Sequence, residues 1–141
     1  MTATLAPPAA KIDVENPATG QIIASVDVVG PERIPELVAR ARAAQPGWEA
    51  LGFAGRGQVL RRCQKWVIDN SDRVIETIVS ETGKAWEDAQ LAEVSYAAGS
   101  FGFWAKNAEP YLADERVKAA SPFVKGKKLV VRHVPVGVVG V

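Results

Sequence analysis

Sulfur and imidazole are nearly missing from this chain: 141 residues hold one cysteine, Cys63, and one histidine, His133. A single thiol closes no intrachain disulfide, which fits a reducing compartment. One thiol and one imidazole also fall short of the nitrogen and sulfur ligands that a zinc site uses. Neither sign of charge dominates. Lysine and arginine total 17, aspartate and glutamate 16, for a formal net charge of +1. A nucleic-acid binder usually gathers a basic excess on one face, so no nucleic-acid partner is expected. The one compact basic cluster, Lys125-Gly126-Lys127-Lys128, reads as a solvated hairpin turn. Long apolar runs are absent too. Nothing approaches the ~20 apolar residues of a membrane helix. The start, MTATLAPPAAKIDV, has neither the basic n-region nor the apolar stretch of a secretory signal. A cytoplasmic protein with no membrane partner is expected.

What is present is ordinary for a globular chain, with 48% hydrophobic and 23% charged residues. A compact chain of this length buries ~two thirds of its unfolded surface, enough for a real core. Residues 1–10, rich in alanine, proline and threonine, are expected to be poorly ordered. KIDVENPATGQIIASVDVVG reads as a β-hairpin, with Asn16-Pro17 opening its turn and Gly20 closing it. Ile22, Ala24 and Val26 alternate with their neighbours, and Ile23 is the lapse in that alternation. A first helix starts at Gly30-Pro31, becomes regular near Pro35 and ends at Pro46-Gly47. A second runs from about Gly57 to Thr82, interrupted or recapped at Asn70-Ser71-Asp72, with Gly83 as its C-terminal cap. A third runs from about Ala85 to Glu109, ended by Pro110. Strand character then returns through Lys127–His133.

The residues that could carry chemistry have structural explanations. Cys63 lies in mid-helix on the apolar stripe and is expected to be a small buried hydrophobe rather than a nucleophile. His133 sits in an alternating strand with no second ligand or base beside it. GFAGRG, Gly52–Gly57, follows no strand and lacks the G-x-G-x-x-G spacing. The Gly83-Lys84 pair lacks the rest of a phosphate loop. Glu76, Glu81, Glu87, Asp88 and Glu93 read as solvated or capping groups. Trp66, Trp86 and Trp104 read as core rather than as a stacking platform. No catalytic, cofactor-binding or metal-binding residue is assigned.

The ending poses a separate problem. PVGVVGV, Pro135–Val141, is an apolar β-branched run of the kind found in strands buried on both faces of a parallel sheet. Such a strand needs neighbours, and these 141 residues offer none.

Four segments in order bear on that problem: NPATGQIIASV (Asn16–Val26), ARAAQPGWEAL (Ala41–Leu51), ETGKAWEDA (Glu81–Ala89) and PVGVVGV (Pro135–Val141). Together they resemble the N-terminal part of the NAD(P)-dependent aldehyde dehydrogenase superfamily, over about Ile12 to Val141. Ala85 departs from the proline that often follows ETGK there. The resemblance implies an α/β fold, truncated: a β-hairpin, three helices, an oligomerisation strand, and the first strand of a Rossmann-like nucleotide-binding domain. It implies a helical and β segment over 11–134 and an incomplete nucleotide-binding domain starting at 135–141. Lys127–His133 would be the oligomerisation arm of a homo-oligomer, a dimer or tetramer. The family's reaction takes an aldehyde to a carboxylic acid by a cysteine nucleophile and a glutamate base, with hydride passing to NAD or NADP. Those residues and the cofactor cradle lie downstream in family members, and Cys63 matches none of them. The resemblance therefore implies an inactive, cofactor-free chain when alone, or a non-catalytic interaction module for a full-length relative. The isolated chain is also expected to be poorly soluble or partly ordered.

Overall fold

The computed structural model describes residues 10–140. Residues 1–9 and Val141 lie outside the described residues, and with them most of the expectation for residues 1–10. Ala10 accepts a hydrogen bond at its carbonyl from Val28 N at 2.8 Å, so the hairpin ladder already begins there.

The hairpin forms as its alternation requires. Strand β1 (Lys11–Asn16) pairs antiparallel with β2 (Gln21–Asp27), from Lys11 opposite Asp27 to Asn16 opposite Gln21. The register shifts between Val14 and Glu15, whose partners are Ala24 and Ile22. Ile23 is therefore the extra residue of a β-bulge, which explains the lapse in the sequence pattern. Asn16 builds the turn: its Oδ1 accepts from Ala18 N at 2.9 Å, and its carbonyl accepts from Gly20 N at 2.8 Å. Gly20 sits at φ 70°, a left-handed position that suits glycine.

A short 3₁₀ turn, Pro31–Arg33, leads into α1 (Ile34–Ala50). The expected stop at Pro46-Gly47 is not observed; the helix runs through Pro46. Proline removes one backbone donor, and here the chain continues for one more turn. The reversal comes at Gly52, φ 62°, where α2 (Gly52–Asp69) begins, five residues before the expected Gly57. Asn70 (φ −115°) breaks α2 from α3 (Ser71–Thr82), and Gly83 (φ 70°) caps α3 by donating to Val79 O, both where the sequence marks them.

The third helix is a continuous rod in three parts: α4 (Trp86–Asp88), a π-helical stretch (Ala89–Ser95) and α5 (Tyr96–Leu112). Pro110 lies inside its last turn and does not end it. The π stretch has a packing reason. Ala89 and Val94 are both buried, five residues apart. In an α-helix that spacing places them ~140° apart. The i→i+5 spacing brings them to one side, against Ile75 of α3, which is 1% exposed. Val67, Val74, Ile78 and Val79 surround this small core.

Past the π stretch, α5 crosses α2 antiparallel at close range. A Cβ on Gly57 would lie 2.7 Å from Ala105 O. Two turns on, Gln64 Nε2 donates to Ala98 O at 2.9 Å. The chain then forms a second two-stranded sheet, β3 (Glu115–Val117) antiparallel to β4 (Leu129–Val131). Strand β3 has no sequence signature. The expected strand over Lys127–His133 is reduced to β4. The expected strand at Pro135–Val141 is absent over residues 135–140, where Val136 is 94% exposed. Nothing among the described residues pairs with it.

The total accessible surface is 11596 Å². A compact monomer of 15.1 kDa has ~7,100 Å². The ten undescribed residues account for at most ~1,600 Å² of the difference even as unfolded chain. The extensive core expected from composition is not formed. Trp48, Trp66, Trp86 and Trp104 are all exposed, which corrects the core assignment of the last three.

The helix crossing sets an expectation. Gly57→Ala drives a methyl against the backbone of α5 and should cost roughly 1–3 kcal/mol in urea unfolding. Gly99→Ala, on the same helix pair with open space around it, should stabilise by up to about 1 kcal/mol. Equal behaviour of the two variants would show that the close crossing is not formed in solution.

Candidate functional site

Two concave surfaces stand out among the described residues; one holds Cys63 and Trp66, the other His133. The first is an apolar groove of about 460 Å³ between α2 and α5, lined by Val59, Arg62, Cys63, Trp66, Val67 and Phe101. The i, i+4, i+7, i+8 spacing of Val59, Cys63, Trp66 and Val67 puts these four on one side of α2. Cys63 is exposed there. The expectation of a buried cysteine is thus corrected: the stripe is real, but no described residue covers Cys63. No base or ligand lines the groove beside the thiol.

The second is a cleft of about 640 Å³ where the α1–α2 corner meets the base of the β3–β4 hairpin. Trp48, Phe53 and Arg56 line one wall, and Asp114, Arg132 and His133 the other. The Arg56 guanidinium lies over the Phe53 ring, 4.7 Å from its centroid, and donates to Glu49 O at 3.3 Å. This cation–π stack keeps the arginine folded back on its own helix. Opposite, Arg132 grips Asp114 with two donors: Nε at 3.0 Å from Oδ1 and Nη2 at 2.6 Å from Oδ2. That fork fastens the exit of β4 to the exit of α5. The Arg132 hydrogen bond holds the Asp114 carboxyl below its ordinary value, and Asp114 in turn raises Arg132.

His133 shares the cleft but touches no group that would orient it as a base among the described residues. Cys63 and His133 line different surfaces and form no nucleophile–base pair. Glu93 is engaged by Lys84. Glu76, Glu81, Glu87 and Asp88 are exposed, as expected of solvated residues. Among the described residues no three histidine, cysteine or carboxylate groups cluster as metal ligands. The arrangement can present surfaces and hold a hairpin at a set angle. Among the described residues, Cys63, His133 and the exposed carboxylates are not brought together. The Asp114–Arg132 fork was not legible, because its residues are 18 apart and β3 left no pattern.

Two measurements check this geometry. The Asp114 carboxyl should titrate below 3.8, and Arg132→Gln should return its midpoint towards that value. Because the folded value is lowered, the fork contributes above the unfolded pKa and is lost as pH falls through the folded one. An Asp114 midpoint unmoved by Arg132→Gln in an NMR titration would remove the fork. Cys63 should react with a chromogenic disulfide reagent without denaturant, one thiol per chain; protection until unfolding would mean the groove is covered.

The comparisons with known proteins agree on one assignment. The aldehyde dehydrogenase family model matches residues 5–141. The mitochondrial succinate-semialdehyde dehydrogenase of Arabidopsis thaliana is 33% identical over 92% of this chain and 24% of its own length. The glutarate-semialdehyde dehydrogenase of Pseudomonas putida is 32% identical over 90% of this chain and 25% of its own. The crystal structure of lactaldehyde dehydrogenase from Escherichia coli superposes with a TM-score of 0.72 at 30% identity, over 80% of this chain and 23% of that one. The chain thus spans about a quarter of the length of the relatives it matches, and it aligns with the N-terminal part of their fold. With the family model matched over residues 5–141 and the fold shared with these relatives, the chain belongs to the aldehyde dehydrogenase family.

Proposed function

We propose that these residues form the N-terminal portion of an NAD(P)-dependent aldehyde dehydrogenase, an enzyme that converts an aldehyde to a carboxylic acid. The observation that carries this reading is the family match over residues 5–141. The large exposed apolar surface supports it, since a framework segment keeps its apolar faces for the rest of its fold. On this reading residues 135–141 begin the nucleotide-binding domain, and β4 belongs to the arm of a homo-oligomer. The protein would be cytoplasmic; no helix among the described residues is long and apolar enough to cross a membrane. NAD or NADP would accept the hydride. The residues described here include no nucleophile, base or phosphate cradle that would handle it, so the 141-residue chain alone is inactive.

A second reading rests on the β3–β4 sheet. Its outer edges are unpaired among the described residues, and free edges accept added strands. The chain would then serve as an interaction module for a full-length relative, and co-purification with that relative would favour it.

Reading the native transcript past Val141 comes first. A continuation that supplies the family's cysteine nucleophile and glutamate base is expected. The protein from the full reading frame should then reduce NAD+ or NADP+ when given an aldehyde. Succinic and glutaric semialdehydes head the panel because two relatives carry those names. Turnover by the 141-residue chain itself would overturn the proposal.

A further inference from the structure

The connection between β3 and β4 combines two features that the family assignment does not use. Residues 118–128 hold four lysines, Lys118, Lys125, Lys127 and Lys128, and no carboxylate. The whole chain is nearly neutral, so this is a local concentration of charge. The acids of the hairpin, Asp114 and Glu115, sit at its opposite end, beside the helix. The last paired residues, Val117 and Leu129, separate the two ends.

At the basic end an aromatic side chain is held out in solvent. Phe123 is 96% exposed, the most exposed large hydrophobic residue described. It is presented by an ordered turn. Ser121 Oγ accepts from Phe123 N at 3.3 Å, Val124 N donates to Ser121 O at 3.2 Å, and Lys125 N donates to Pro122 O at 3.1 Å. Lys127 N then donates to Val124 O at 3.0 Å, and Gly126 takes φ 82° to complete the reversal. Pro122 limits the backbone further. Val124, next in sequence, is half-buried.

We propose that this hairpin tip binds the surface of an anionic lipid bilayer, with Phe123 inserted among the headgroups and the lysines on the phosphate and serine charges. Lysines near an anionic surface each gain about 1 kcal/mol, roughly fivefold in binding. A lone exposed aromatic beside them supplies the apolar anchor that charge alone lacks. Nucleic acid fits less well, because one phenyl ring gives no series of stacking platforms along a strand. Attachment of this kind needs no membrane-spanning helix. The solvated-turn reading of Lys125–Lys128 does not account for an apolar ring held outward among those charges.

The test is co-sedimentation of the 141-residue chain with phosphatidylcholine vesicles, with and without about a third phosphatidylserine. Binding should be at least about tenfold tighter to the anionic vesicles and should weaken as salt rises. The triple variant Lys125→Gln, Lys127→Gln, Lys128→Gln should lose about 100-fold, and Phe123→Ala about tenfold. Phe123→Trp should retain binding and be quenched by brominated acyl chains. Trp66→Ala probes the other exposed apolar surface and should leave binding unchanged. Three outcomes overturn the proposal. The first is equal binding to neutral and anionic vesicles. The second is a loss with Trp66→Ala but not with Phe123→Ala. The third is retention on a single-stranded oligonucleotide with no vesicle binding.

Discussion

The close antiparallel crossing of α2 and α5 is the contact on which the rest of the arrangement depends. Its closeness is a backbone effect. Gly57 lets α2 approach the carbonyl of Ala105, and any side chain there meets main chain, which cannot rotate away. Two turns along, Gln64 fills the space above Gly102 and satisfies Ala98 O. A steric allowance and a directed hydrogen bond thus fix the same pair of helices in one register. Because α5 is fixed, its exit at Leu112 is fixed. Asp114 follows directly and holds Arg132, so the hairpin takes its angle from the crossing.

The π stretch lets one rod serve two partners. Within it the rod faces α3, where Ala89 and Val94 close on Ile75; beyond it, Ala98 and Ala105 face α2. A straight α-helix would carry these two sets on a slowly turning stripe. The inserted spacing shifts the stripe between them. The Lys84–Glu93 ion pair bridges from the α3 cap to this stretch, on the exposed side where an ion pair adds little to stability. What holds the stretch is the apolar contact beneath it, with Ala89 fully buried.

Features specified by neighbours in sequence were legible. Asn16-Pro17 and Gly20 mark the turn. The doubled isoleucine marks the bulge. Asn70 and Gly83 mark helix ends, because each supplies a backbone conformation or side-chain bond at its own position. The prolines misled for the same reason. Pro46 and Pro110 weaken a helix locally, but near a helix end the lost hydrogen bond is one of few remaining, and continuation costs less than in a helix centre. The real reversal at Gly52 depends on a left-handed backbone that the sequence only permits. Strand β3 is three residues long and exists because β4 pairs with it. The Asp114–Arg132 fork inherits that invisibility. Periodicity placed Cys63 and Trp66 correctly on one stripe, yet a stripe says which residues share a face and nothing about what lies over it.

That last distinction joins the missing chemistry to the excess surface. A hydrophobic share of 48% is ordinary, and scattered apolar residues on a surface need no explanation. Here they are organised. Val59, Cys63, Trp66 and Phe101 line one groove, while Phe103, Trp104 and Tyr111 stack edge to face on the same rod. Helical periodicity of this quality is what a buried face requires. The charged and polar groups that a reaction needs are instead spread over exposed positions, each paired locally or solvated. As the N-terminal quarter of a larger fold, the segment would supply shape: apolar faces that meet other faces, and a hairpin aimed by an ion pair. The reacting groups would then lie on the elements those faces hold in place. Of the apolar groups described, Phe123 least resembles part of such a face, standing alone on a tight turn among lysines rather than on a stripe.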